Sequence, residues 1–177
     1  MSDSQVMAGA GLGGFEWLSR RWLNIFGFLV CLGGLGVALF AQFHLGMEPC
    51  PLCIFQRLAL AALGLLFLTA ALHDPRGWGA KVYGALIDLT AFLGMAVAAR
   101  QVWLQHLPPD EVPRCGPGLD YMLQTFPLTE TIREVLSGSG ECAKVETLLG
   151  LSIPEWTLML FLGLGVMGLL GNWRLRR

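Results

Sequence analysis

The chain has 177 residues, of which 54% are apolar and only 14% charged, with a net charge of −1 and a mean hydropathy of +0.58. A soluble domain carries roughly 25% charged residues, so an ordinary soluble fold is excluded, and so is a disordered chain. The near-zero net charge excludes a global basic field for nucleic acid, and five cysteines are too few for a disulfide-dense secreted scaffold.

A short tail, residues 1–21, ends in Arg20 and Arg21. Residues 22–43 then run 22 positions without a charge. That block exceeds the 7–15 residues of a signal-peptide core, and no small-residue cleavage site follows it. About 20 apolar residues cross a bilayer, and a helix satisfies its own backbone there, so the block predicts a first transmembrane helix. Cys31 in its middle reads as a small buried apolar side chain. Residues 44–53 form a connecting segment that closes on Cys50-Pro51-Leu52-Cys53. Residues 54–72 give 19 positions with one charge, Arg57, and predict a second helix. A polar loop, 73–81, leads to a third, residues 82–104, whose first 18 positions hold one charge, Asp88. Asp88 is expected to make an interhelical hydrogen bond. Residues 105–155 are a long loop, and 156–173 give a fourth helix of 18 uncharged positions before the tail 174–177. The fold class is an all-α membrane protein: a four-transmembrane-helix bundle in one membrane domain. Glycines inside the blocks, as in Gly33-Gly34-x-Gly36 and Gly163-x-Gly165, read as sites of close helix packing.

Charge sets the expected orientation. The two tails and the 73–81 loop hold seven Lys/Arg in 34 residues, against three in the 61 residues of 44–53 and 105–155. The positive-inside rule then places both termini in the cytoplasm and the cysteine-bearing segments outside. Four of the five cysteines, Cys50, Cys53, Cys115 and Cys142, thus face the compartment where disulfides persist, two per loop.

Within the long loop, Leu119, Met122, Leu123 and Phe126 fall at helical spacing, as do Leu128, Ile132, Val135 and Leu136 after Pro127. They predict short amphipathic helices, lying on the bilayer surface or packed on the bundle. The loop carries eight acids and three bases, a charge that can steer a basic partner.

The Cys50-Pro51-Leu52-Cys53 motif carries the strongest chemical signal. Pro51 suits the first position of a helix, which makes Cys50 its cap and Cys53 its third residue. The helix N-terminus favours a thiolate. Arg57 follows Cys53 by four residues, on the same face, where it can stabilise that thiolate or bond an anionic oxygen of a ligand. Zinc would need about four ligands, and beyond these cysteines only His44 and His106 offer themselves, without zinc spacing, so no metal is expected. A purely structural bridge across so short a loop would restrict the unfolded chain very little. Cys115 and Cys142 have two open readings. Their 27-residue separation suits a structural staple of about 3–4 kcal/mol in the loop-entropy model. Their settings, Arg114-Cys115-Gly116-Pro117-Gly118 and Gly138-Ser139-Gly140, suit an accessible, exchanging pair.

Two outward cysteine pairs, four helices with both tails inside, and the run Glu48-Pro49-Cys50-Pro51-Leu52-Cys53-Ile54-Phe55-Gln56-Arg57 resemble the bacterial disulfide bond formation protein B family over nearly the whole chain. The run Arg100-Gln101-Val102-Trp103-Leu104-Gln105-His106 is similar to the end of that family's third helix. The resemblance implies a thiol:quinone oxidoreductase of the inner membrane. It would reoxidise a periplasmic thioredoxin-fold partner of the DsbA type and pass the electrons to ubiquinone or menaquinone. It also implies disulfides Cys50–Cys53 and Cys115–Cys142, with the mixed disulfide to the partner at Cys115. Cys53 would be the thiolate that reduces the quinone, and Arg57 and His106 would border it. The known partner potential, taken over with the resemblance, is about −120 mV, against below about −300 mV for structural disulfides. That gap is about 8 kcal/mol for two electrons, so a strong external oxidant is required. Vitamin K epoxide reductase proteins also couple a CxxC to quinones, but theirs comes late in the chain. A non-catalytic membrane protein with structural disulfides is the reading from another class.

Overall fold

The computed structural model describes residues 20–75, 77–108, 110–113, 119–145, 147–148 and 150–174. Three long helices come first: α1 (Arg20–His44), α2 (Pro51–His73) and α3 (Trp78–Gln105). Two short ones, α4 (Leu119–Thr125) and α5 (Leu128–Ser137), precede a 3₁₀ turn at Gly140–Ala143. A two-residue antiparallel ladder, Thr147–Leu148 with Leu151–Ser152, leads into α6 (Ile153–Leu169), which continues as a π turn, Leu170–Arg174. The four apolar blocks each lie within one long helix. The shortest of α1–α3 has 23 residues, about 35 Å at the α-helical rise. All four long helices are long and apolar enough to cross a membrane, and the chain is a multi-pass, all-helical membrane protein.

The helices begin earlier than apolarity alone predicts, because their first turns are polar or contain proline. At α6 the Ser152 N–H donates to Glu155 Oε2 at 2.6 Å, half of a capping box whose Ser-x-x-Glu spacing is visible in the sequence. At the far end of α2, Asp74 adopts a left-handed conformation (φ 41°) and its N–H returns to Ala70 O at 3.0 Å, after which Pro75 prevents continuation.

Helix α2 lies between α1 and α3, and α6 packs on α3 and reaches α1. Leu60, Leu63, Phe67, Ile87, Phe161 and Cys31 form the buried centre. Large apolar side chains such as Leu29, Phe40, Leu65, Phe92 and Leu162 cover the outside of the bundle, as a lipid-facing surface requires. Of the glycines singled out by sequence, Gly34 packs closely, with a Cβ there 3.1 Å from Leu60 and 3.3 Å from Leu160, and other close approaches fall elsewhere. A Cβ on Gly27 would stand 2.8 Å from the Phe67 ring, and one on Gly84 would stand 2.6 Å from Trp173, whereas Gly33, Gly36 and Gly163 face open space. Runs of glycine say nothing about which side of a helix meets a neighbour. Asp88 also departs from expectation: it stands beside Gly168 of α6, but its Oδ1 is buried with no hydrogen-bond partner among the described residues.

At the end of the bundle formed by the start of α1, the α2–α3 turn and the end of α6, Asn24 and Asn172 exchange side-chain hydrogen bonds of 3.4 and 3.3 Å. Arg20 donates to Pro75 O at 2.6 Å and to Gly171 O at 3.4 Å. At the other end, α4, α5 and the 3₁₀ turn fold onto the bundle. Met122, Val135 and Cys142 are buried there with Cys50, Leu52 and Leu104 in a second apolar cluster. The Thr131 hydroxyl ties α5 to α4 through Met122 O at 3.2 Å. Of the two readings for the amphipathic helices, packing on the bundle accounts for Met122 and Val135. Leu123, Leu128 and Leu136 remain exposed on the outer side.

Candidate active site

The sulfurs are placed by a helix start. Cys50 caps α2 in an extended conformation (φ −66°, ψ 161°), Pro51 opens the helix, and the Cys53 N–H donates to Cys50 Sγ at 3.3 Å. This is the arrangement that the proline position predicts: Pro51 contributes no N–H, and the free N–H two residues on turns to sulfur. Cys50 Sγ and Cys53 Sγ lie 2.8 Å apart. Cys50 is buried and Cys53 half-buried.

Cys142 joins them from the long loop. It is fully buried in the 3₁₀ turn, and its thiol is hydrogen-bonded to Cys50. Three side groups of α3 surround that turn. The Arg100 guanidinium donates to Leu136 O at 3.2 Å and Ser137 O at 2.8 Å, closing the end of α5. Gln105 Nε2 donates to Lys144 O at 3.0 Å just beyond the turn. Between them, Gly138 has φ 85° and ψ 156°, and a Cβ there would collide with the Leu104 side chain. The bond from Cys50 and then backbone N–H donors hold the Cys142 thiol down at about 6, against desolvation. The reciprocal bonds to Cys142 and Cys53, with burial, push the Cys50 thiol up. Cys142 is therefore the better nucleophile of the two at neutral pH, and it is aimed at Cys50.

The polar group at the sulfurs is an amide. Gln101 of α3 is buried, and its Nε2 lies 3.4 Å from Cys50 Sγ and 3.3 Å from Cys53 Sγ. Gln56 of α2, also buried, donates to Gln101 Oε1 at 2.7 Å. Arg57 turns elsewhere. Its guanidinium binds Gln42 Oε1 and Ala38 O, the latter at 3.1 Å, so it joins α2 to the end of α1. His106 is exposed at the end of α3, with Nδ1 at 2.8 Å from Val102 O. Cys115 lies outside the described residues. The structure thus brings together Cys50, Cys53 and Cys142, and neither Arg57 nor His106 is among the residues that line the cavity over them. Sequence reasoning gave no role to Gln56 and Gln101. Both stand in the runs quoted above, and a polar side chain inside an apolar helix is the signal that could have marked them.

A cavity of about 460 Å³ opens over Cys50 and Cys53, with the apolar Met47, Ile153 and Pro154 and the polar Gln101, Gln105 and Lys144 in its lining. Among the described residues no group of three or more His, Cys, Asp or Glu side chains could hold a metal. Neighbouring thiols on a helix N-terminus, with a third sulfur in contact and no metal cage, are suited to thiol–disulfide exchange.

Comparison with known proteins agrees with that chemistry. The family model "Disulfide bond formation protein DsbB" matches residues 20–171. Relatives bearing the name disulfide bond formation protein B include one from Nitrosococcus oceani, 52% identical over 161 residues that cover 90% of this chain and 94% of that one. Another, from Methylococcus capsulatus, is 51% identical over 160 residues, 90% of this chain and 98% of the relative. A third, from Xanthomonas axonopodis pv. citri, is 47% identical over 165 residues, 92% and 95% of the two chains. The bundle, the helix-capping cysteine pair and a match over nearly the whole length lead to one conclusion: this chain belongs to the DsbB family and is a disulfide-forming oxidoreductase of a membrane.

Proposed function

We propose that this protein oxidises a thioredoxin-fold dithiol protein of the DsbA type in the periplasm and delivers the two electrons to the membrane quinone pool. In this reading the protein sits in the bacterial inner membrane with both termini cytoplasmic. The observation that carries the reading is the contact of Cys142 with Cys50 at the start of α2. It supplies the junction between a pair that reaches a soluble protein and a pair at the bilayer.

The exchange balances as follows. A thiolate of the partner attacks Cys115 of the Cys115–Cys142 disulfide and releases Cys142 as a thiolate; the partner's second thiolate then attacks the partner sulfur of that mixed disulfide and releases Cys115, which leaves the partner oxidised and Cys115 and Cys142 reduced. The Cys142 thiolate attacks Cys50 of the Cys50–Cys53 disulfide, the S–S bond breaks, and Cys53 leaves as a thiolate. Cys115 then attacks Cys142, re-forming the loop disulfide and releasing Cys50 as a thiol. Two electrons now reside on Cys50 and Cys53. They depart as the Cys50–Cys53 bond re-forms, with Cys53 the sulfur that opens on the cavity.

A quinone supplies a two-electron, two-proton acceptor that dissolves in the bilayer. The residues fit such a group. The cavity volume falls in the range of about 300–1,000 Å³ usual for small-molecule sites. Its lining includes the apolar Met47, Ile153 and Pro154, and Gln105 Oε1 is buried with no hydrogen-bond partner among the described residues. Gln105 would orient a ring oxygen, whereas neither Arg57 nor His106 lines the cavity. Two experiments test the reading. Purified protein given reduced partner should reduce ubiquinone or menaquinone analogues, and quinone extracted from the preparation should identify the natural one. A Cys142→Ser variant should accumulate a mixed disulfide between the partner and Cys115. No quinone reduction with any donor, or a partner linked to Cys50 or Cys53 in the unaltered chain, would overturn it.

A further inference from the structure

The Gln56–Gln101 pair is polar and enclosed between α2 and α3. Each side chain is about 5% exposed or less. Two amides buried at a helix–helix contact cost desolvation that one mutual hydrogen bond recovers only in part. Their arrangement has a direction. Gln56 Nε2 donates to Gln101 Oε1 at 2.7 Å, so the oxygen of Gln101 is engaged and its NH₂ is turned to the two sulfurs, at 3.3 and 3.4 Å. The neutral Cys53 thiol also donates to that oxygen, at 3.6 Å, a longer bond than the one it accepts from the nitrogen. A neutral thiol gains little from an N–H donor, whereas a thiolate gains a charge-assisted bond.

We propose that Gln101, oriented by Gln56, is a positioning residue that stabilises the reduced, anionic form of the Cys50–Cys53 pair and so makes that pair a stronger oxidant. The inference rests on the reading that this pair cycles between disulfide and dithiol. Reduction of the disulfide takes two electrons, supplied by the Cys115–Cys142 dithiol, and one proton when one sulfur stays a thiolate. A donor that favours the product of that step pulls the equilibrium toward electron uptake. The charged and titratable groups around the pair are Cys142 from the 3₁₀ turn and Glu48, Glu141 and Lys144 at the cavity. Arg57, on the same helix, is engaged with Gln42 and Ala38. Gln101 is the side chain of α3 that donates to both sulfurs.

The test uses the full chain in detergent, reduced and alkylated with iodoacetamide across a pH series, with the Cys50–Cys53 peptide read by mass spectrometry. Replacing Gln101 by Leu should raise the midpoint of alkylation by about one pH unit, a tenfold loss of thiolate below it. Gln101→Glu is nearly isosteric, keeps the fold where Leu fails, and replaces the donor by a charge, so it should raise the midpoint further. Equilibration with glutathione should show the pair up to about tenfold harder to reduce in both variants, or about 30 mV. A residue that only packed α3 against α2 would leave the midpoint where it is. Unchanged midpoints in both variants, or a lower midpoint for Glu than for Leu, would overturn the proposal. Failure of the unaltered chain to pass electrons from this pair to quinone would instead overturn the functional reading beneath it.

Discussion

Replacing Gly138 by alanine probes the contact on which electron transfer between the two cysteine pairs depends. Gly138 joins α5 to the turn that carries Cys142, with φ 85° and ψ 156°. That region is essentially restricted to glycine, and an L residue held there costs about 1–3 kcal/mol. The new methyl group would also strike the Leu104 side chain, which belongs to the cluster holding Cys142 and Cys50. Both effects act on the docked turn and leave the undocked one untouched. The ratio of docked to undocked turn should therefore fall about 5- to 150-fold, at tenfold per 1.4 kcal/mol, with the collision favouring the larger figure. The assay is single-turnover quinone reduction by two donors. With the protein partner, the proposed relay passes electrons from Cys142 to Cys50, and the rate should fall within that range once the undocked form dominates. With a small dithiol that reduces Cys50–Cys53 directly, the rate should stay within twofold of the unaltered protein's. An unchanged rate with the partner, or equal loss with both donors, would refute the argument that this turn positions Cys142.

Three further outcomes follow from the same geometry. The Cys142 thiol of the reduced protein, held down to about 6 chiefly by the bond from the Cys50 thiol, should be a thiolate above that pH and protonated below it. In Cys50→Ala the main cause is gone, and ultraviolet thiolate absorbance should show the midpoint returning toward the ordinary value near about 8.5; a midpoint still near 6 would contradict the assigned cause. Arg57→Met should raise the apparent Michaelis constant for quinone more than that for the partner, and Arg57→Lys, which keeps the charge without the planar fork, should recover part of the loss; equal changes in both constants would reduce Arg57 to a tie between α2 and α1. A membrane-impermeant thiol reagent should label reduced Cys115 from outside intact spheroplasts, and labelling only after the membrane is opened would reverse the orientation argued from the loop charges.

Much of the fold was legible because lipid imposes one simple rule. Residues 22–43 and 156–173 contain no charge, and each forms the greater part of a long helix. The helix starts were less legible, since Pro51, Lys81 and Glu155 interrupt apolarity although each lies within the first turns of a helix. The cap geometry of Cys50-Pro51-Leu52-Cys53 could be read directly, because proline and a helix N-terminus leave few alternatives. The partners of the sulfurs could not. Helical spacing puts Arg57 on the face of Cys53, but a long side chain chooses among neighbours, and the carbonyl of Ala38 and the amide of Gln42 lie on another helix. The approach of Gln101 to the pair spans 48 residues of sequence. Spacing carries no information across that distance.

All the sulfurs assigned here to the redox relay and described by the structure, Cys50, Cys53 and Cys142, gather at one end of the bundle. The opposite end is tied by Arg20 and the Asn24–Asn172 pair. Cys31, the other described thiol, is buried against Gly64, about 20 Å along α1 from His44 at the helical rise. Electrons routed through the clustered sulfurs therefore enter and leave on the same face. In the proposed relay the protons released by the partner's thiols and taken up on reduction of the acceptor would be exchanged at that face too. No charge would then traverse the hydrocarbon layer, and the transmembrane voltage, worth about 2.3 kcal/mol per elementary charge per 100 mV, would find nothing to act on. Turnover in vesicles should run at the same rate whether the membrane is energised or collapsed, and the enzyme would be electrically silent.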